Sequence, residues 1–308
     1  MSVDVDAAGQ RTPAGGGDQG PSPLGNVPPL IVTGVSKIYA NRGRRDKAVT
    51  AVDNVSFTIA SGAAVGLVGA SGSGKSTLAK MITGSERPTS GSISFGEFAV
   101  DRLRPGRRRK FHSRVQMVFQ DPYGALNPLH TVEYTLMRPC ENFLHMSGQE
   151  ARQRVHELLE TVGLTPPTQY AAKLPHQLSG GQRQRVVIAH ALACNPELIV
   201  ADEPASMLDV SLRADVLKLL ATLREERGLS LLYITHDLLS ARVVTDEILV
   251  LNKGKVVEQG PTKQVLQHPR DSYTVQLLNA VATPFAIAPA PDAPDEELTA
   301  GAPAEPAP

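Results

Sequence analysis

The segment GASGSGKST, residues 69–77, has the spacing G-x-x-x-x-G-K-S/T and lies between an apolar run, AVGLV, and a helix-like stretch, KSTLAKMITG. Such a turn is built to bind phosphate. Gly72 and Gly74 expose N–H donors to the phosphates, Lys75 neutralises the β and γ groups, and Ser76 offers a hydroxyl to Mg²⁺. Gly69, Ser71 and Thr77 complete the binding stretch. A glycine-rich strand-to-helix turn without a ligand is the plainer alternative, and the strand and helix flanks weigh against it.

A second chemical motif is LIVADEP, in which Asp202 and Glu203 follow four apolar residues. Two carboxylates at the end of a buried strand are costly unless a cation or a proton compensates. Beside a phosphate loop, Asp202 would hold Mg²⁺ through water, and Glu203 would be placed to polarise an attacking water as general base. His236 after LLYIT and Gln120 in VFQDP have simpler readings, as a strand-end histidine bonded to backbone and as a cap on the Asp121-Pro122 turn. At the end of a shared sheet, though, an imidazole could bond a γ-phosphate and an amide could orient water and metal.

LSGGQ, residues 178–182, raises a separate question. A serine and two glycines precede QRQRVVIAHALA, a helix-like stretch, which is the pattern of a second anion site. The chain therefore carries one more phosphate-seeking turn than one nucleotide requires.

The elements that must position these groups are short apolar runs. AVGLV (64–68) ends at Gly69, VQMVF (115–119) at Gln120, LIVA (198–201) at Asp202 and LLYIT (231–235) at His236. Each has strand length and composition. Stretches such as SLRADVLKLLATLREE between them supply crossovers for a parallel sheet. Ligands of open parallel α/β sheets bind beyond the carboxyl ends of the strands, so four such ends predict one crevice.

Composition agrees with an α/β protein. The 308 residues are 41% hydrophobic with a net charge of +0, which does not advertise a nucleic-acid binder. Cys140 and Cys194 form no CxxC pattern, and a reducing compartment fits. The first residues, MSVDVDAAGQRTPAGGGDQGPSPLG, lack the basic start and apolar core of an export signal. Residues 1–28 and the Ala/Pro-rich 282–308 are expected to be disordered tails around one domain, 29–281. The basic run RLRPGRRRKFHSR (102–114) is expected to be a solvated connection rather than a nucleic-acid or lipid site, since Phe111 alone is interleaved for stacking.

With these residues assembled, the chain resembles the ATP-binding subunit of an ABC transporter over nearly its whole ordered part. GASGSGKST looks like the Walker A loop, Gln120 the Q-loop glutamine, LSGGQ the family signature, LIVADEP the Walker B strand, SMLD (206–209) the D-loop and His236 the switch histidine. Tyr39 in VSKIY stands where the family places an aromatic against adenine, although plain packing would also explain it. The resemblance implies a P-loop NTPase (RecA-like) core with a parallel sheet, an antiparallel β subdomain and an inserted α-helical signature subdomain at about 121–190. It implies ATP and Mg²⁺ as cofactors, with Ser76, Gln120 and Asp202 on the metal and Glu203, His236 and Gln120 in catalysis. It also implies an answer to the second anion: Ser179, Gly180, Gly181, Gln182 and Asp209 would meet the nucleotide of a second ATPase subunit, in a homo- or heterodimer.

QDPYGALNP (120–128) and GPTKQVLQHPRDSYTVQLLNAV (260–281) are similar to segments of the peptide and nickel import group. That implies two transmembrane permease subunits, an extracytoplasmic solute-binding protein, no nucleic acid, and a place on the cytoplasmic face of the cell membrane. The amphipathic QEARQRVHELLETVGL, with Val155, Leu158, Leu159 and Val162 on one face, would belong to the surface that receives the permease. The chain departs from the group in four ways: it has no cysteine cluster near 270–290, so no Fe–S cluster is expected, SMLD replaces SALD, RDSYT replaces HPYT, and His190 replaces an arginine, which is expected to weaken contacts between subunits. An exporter ATPase, or an ABC ATPase acting on ribosomes or nucleic acid, would share the same core motifs.

Overall fold

A computed structural model describes residues 27–40 and 48–282. The expected tails fall outside these residues, save at their inner edges. There composition misplaces the boundary, because Val27 is only 3% exposed and belongs to the core beneath the first strand.

Among the described residues, β1 (Leu30–Tyr39), β2 (Val49–Ile59), β4 (Ser90–Phe95) and β5 (Phe98–Ala99) form an antiparallel sheet in the order β2-β1-β4-β5. A larger sheet contains β3 (Ala64–Val68), β6 (Val115–Val118), β7 (Leu198–Asp202), β8 (Ser230–Thr235), β9 (Glu247–Asn252) and β10 (Lys255–Pro261), ordered β10-β9-β3-β8-β7-β6. Its strands pair in parallel from β9 to β6, and β10 adds an antiparallel edge. Between them run the helices α1 (Lys75–Ile82), α2 (Pro105–Arg114), α3 (Pro122–Ala125), α4 (Val132–Leu144), α5 (Gly148–Thr161), α6 (Pro167–Ala171), α7 (Gly180–Leu192), α8 (Val210–Arg227), α9 (Leu238–Val244), α10 (Thr262–Gln267) and α11 (Ser272–Ala282).

The parallel strands read as continuous apolar runs because both faces of the sheet are covered. Successive side chains leave on opposite faces. Leu67, Val200, Leu232 and Leu249 thus pack toward α1 and the small sheet, while Val68, Ala201, Tyr233 and Val250 pack toward the other helices. Register brings Val68 opposite Thr235, Asp202 opposite Ile234 and Val118 opposite Ala201, so the residues that follow these positions share one edge.

Helices α3 to α7 form the insertion between β6 and β7. Helix α5 is set by its capping box, with the Ser147 hydroxyl accepting from the Glu150 amide and Glu150 returning to the Ser147 N–H. Its apolar stripe is internal: Val155, Leu158, Leu159 and Val162 are each 0% exposed, packed among Leu136, Val186 and their neighbours. Burying four such side chains stabilises the subdomain by about 1.5–3 kcal/mol apiece. That face is therefore core and is not free to receive a permease, contrary to the expectation from its periodicity.

The basic run is a helix rather than a connection. Pro105 opens α2 with its ring-fixed φ, Phe111 is fully buried edge-on to Phe98, and Arg107 and Lys110 close on Glu97. Arg114 forks onto Glu197 through Nε at 2.7 Å and Nη2 at 2.5 Å. Much of its charge is thereby matched within the chain.

Candidate active site

A cleft of about 820 Å³ opens at the carboxyl edge of the large sheet and is lined by Ser71, Gly72, Lys75, Gln120, Glu203 and His236, among others. Four separate elements contribute these side chains, and each does so because its strand stops there. The loop after β3 requires glycine at two points: a Cβ on Gly69 would lie 2.2 Å from the Leu251 carbonyl oxygen, and one on Gly74, at φ +108°, 2.3 Å from that of Ala51. Gly72, at φ +76°, faces open space.

Lys75 folds back over this loop, donating from Nζ to the Gly69 carbonyl at 2.7 Å and to the Ala70 carbonyl at 2.9 Å. An ammonium has three donors, and the third remains for a ligand in the cleft. Burial pushes the Lys75 pKa down, against the opposing pull of the Glu203 and Asp202 carboxylates. Asp202 is pushed up by burial and by the Glu203 charge, while the hydrogen bond from Ser76 and the charges of Lys75 and Lys80 act the other way.

Glu203 is the centre of the arrangement. Its Oε2 accepts from Gln120 Nε2 at 3.2 Å, and its Oε1 lies 3.1 Å from His236 Nδ1. The residue adopts φ +46°, a left-handed conformation that an L side chain rarely takes. It is held there by its N–H to the Ile234 carbonyl at 2.9 Å and by the Ser206 N–H and hydroxyl, both donating to its own carbonyl. Such strain collects at functional sites because the surroundings must over-determine it.

The structure brings Gln120, Asp202, Glu203 and His236 to the loop of residues 69–77. It does not bring the signature turn there. Ser179 is the exposed N-cap of α7, its hydroxyl accepting from the Gln182 amide at 3.3 Å while Gln182 Oε1 accepts from the Ser179 N–H at 3.1 Å. Gly181 packs closely on α8, where a Cβ would meet the end of the Leu212 side chain at 3.2 Å. Neither this turn nor Asp209, at the N-cap of α8, lines the cleft. His190 stands eleven residues beyond Ser179, about 16 Å along α7, and lines a different groove.

Tyr39 ends β1 with its hydroxyl donating to Glu86 at 2.7 Å, close to Thr77, and its ring is 39% exposed. Residues that motif reading passed over also border the cleft: Ala51 from β2, and Leu277 and Ala280 from α11. No chemical group marks them, so only the tertiary fold reveals them.

Both cysteines are buried, and burial pushes the Cys194 thiol up to about 12, which leaves it protonated and inert. No helix among the described residues is long and apolar enough to cross a membrane.

The ABC transporter family model matches residues 52–206. The chain is 43% identical over 233 residues to the oligopeptide transport ATP-binding protein OppF of Lactococcus lactis subsp. lactis (strain IL1403), covering 76% of this chain and 72% of that one. It is 44% identical over 238 residues to the OppF of Bacillus subtilis (strain 168), covering 77% of each. Among solved structures it is similar to a dimeric post-hydrolysis state of the ATP-binding cassette MJ0796 bound to ADP and Pi, at 33% identity and a TM-score of 0.67 over 76% of this chain and 98% of that one. The chain therefore belongs to the ABC transporter family as one of its ATP-hydrolysing subunits.

Proposed function

We propose that this chain powers peptide import, hydrolysing ATP at a cleft that a second ATPase subunit completes. The observation that carries this reading is Glu203, bracketed by Gln120 and His236 in the cleft that Lys75 also lines, with the LSGGQ turn outside that lining. Lys75 and the amides of the glycine loop bind the β- and γ-phosphates. Glu203 takes a proton from the attacking water, Gln120 fixes that carboxylate, and His236 presents an imidazole toward the γ-phosphate.

The half-buried Asp202 carboxyl beside the Ser76 hydroxyl is a hard-oxygen donor set of the kind expected of a Mg²⁺ site. Ser76, Asp202 and Gln120 would hold the ion, which would supply charge neutralisation for the phosphates. Ser179, Gly180, Gly181, Gln182 and Asp209 reach the nucleotide of the partner subunit.

A groove of about 670 Å³, lined by Gln116, Met117, Phe119, Leu126, Phe143 and His190, lies between the Gln120 strand and the helical insertion. It seats a segment of the membrane permease on the cytoplasmic face, so that occupancy is felt at Gln120. The relatives named for oligopeptide transport support peptide as cargo.

Purified Glu203→Gln should bind ATP as the parent does and turn over at least about a hundredfold more slowly. An unaltered rate would refute the general-base role. In cells lacking the gene, uptake of a labelled oligopeptide should fall, and undiminished uptake would refute the cargo.

A further inference from the structure

The C-terminal helix α11 reaches back to the phosphate loop, more than two hundred residues away in sequence. Tyr273, in its first turn, accepts at its hydroxyl the N–H of Ala70 at 2.9 Å. That N–H belongs to the same planar peptide as the Gly69 carbonyl, which takes the shorter of the two Lys75 bonds. A bond at one end of a peptide fixes the orientation of the other and polarises it. Tyr273 is thereby joined through a single rigid unit to the ammonium that faces the cleft.

The helix is itself suspended from the sheet. Glu258 on β10 accepts the Arg270 amide at 2.9 Å and the Asp271 amide at 3.1 Å, and Asp271 Oδ1 accepts the Tyr273 amide at 2.8 Å. Thr274 is fully buried, and its hydroxyl lies beside the Glu258 carboxylate without a close bond. From this anchor α11 runs on to place Leu277 and Ala280 on the wall of the cleft.

We propose that Tyr273, hung from Glu258, is a positioning residue for ATP: it sets the 69–70 peptide so that Lys75 keeps two N–H groups on the loop carbonyls and turns the third toward phosphate. The proposal rests on the reading of this cleft as the ATP site. It makes the RDSYT segment part of the nucleotide machinery rather than a peripheral tail, and it applies in a lone chain, without partner or permease. Tyr273→Phe keeps the ring and removes only the acceptor. Since water can partly replace an exposed acceptor, the effect is moderate.

The test is binding of a fluorescent ATP analogue with Mg²⁺ to the full chain as parent, Tyr273→Phe and Glu258→Gln, together with KM and kcat for ATP and hydrogen exchange of the peptide containing Ala70. Tyr273→Phe should weaken nucleotide binding and raise KM roughly three- to tenfold, with a smaller change in kcat, and should speed exchange at Ala70. Glu258→Gln should shift affinity the same way by less. Nucleotide affinity within about twofold of the parent in Tyr273→Phe would overturn the positioning role. A parent chain that binds no nucleotide would instead overturn the reading of the cleft.

Discussion

Glu203 stands at φ +46°, and replacing it by glycine and by alanine separates the cost of that geometry from the loss of its carboxylate. Both variants remove the side chain's bonds to Gln120 and His236 and its charge beside Asp202. They differ only in a Cβ. On ordinary backbone the glycine variant is the less stable by about 0.5–1 kcal/mol, because glycine loses more freedom on folding. In the left-handed region the Cβ itself costs about 1–2 kcal/mol. Subtracting the midpoints of these ranges leaves Glu203→Gly more stable than Glu203→Ala by about 0.75 kcal/mol. For a domain of this size that is a Tm higher by about 1–4 °C. The assay is thermal unfolding followed by circular dichroism in EDTA without nucleotide, since ligand would add its own stabilisation. A glycine variant melting at or below the alanine variant would refute the claim that the base is held in strain. Both should be inactive, which would show that function, not stability, keeps glutamate there.

Lys75→Ala should abolish nucleotide binding in the same fluorescence titration while leaving the fold intact, because it removes the ammonium and opens no large cavity. Gly74→Ala should be destabilised by about 3 kcal/mol or more in denaturant unfolding, since its Cβ would strike the Ala51 carbonyl and its backbone is left-handed. Glu258 supplies a pH test. Burial alone would raise its carboxyl, but the nearby Thr274 hydroxyl, the amides of Arg270 and Asp271 and the Arg270 charge outweigh it and hold the pKa below 4.5. An acid whose folded pKa is depressed contributes stability above its unfolded value, and that stability is lost as pH falls through the folded one. Glu258→Gln should therefore melt about 2–4 °C lower than the parent at pH 7, and the gap should close progressively below pH 4.5.

The strand-end chemistry was legible in sequence because each apolar run is short, buried on both faces and stopped by a polar residue at the same edge. Register then aligned Gly69, Gln120, Asp202 and His236 without further information. Helix α5 is legible from its apolar spacing, and the Ser147/Glu150 capping box fixes its start. Its apolar stripe misled, because periodicity shows which face is buried and not against what: Val155 and Leu158 face the insertion's own core. For the run 102–114, charge and the lack of interleaved aromatics argue against a ligand site but say nothing of structure, whereas Pro105 at the first helical position and the buried Phe111 carry the helical signal. The Tyr273 bond to Ala70 has no local signature, since it depends on β10 and α11 returning across the sheet.

The account stands or falls on whether the LSGGQ turn of one chain completes the cleft of another. The most direct measurement is light scattering of purified Glu203→Gln with and without ATP and Mg²⁺. The chain of 32.8 kDa should double its mass when ATP is added and remain single without it. Monomers at every ATP concentration, with parent turnover per chain unchanged on dilution, would contradict it.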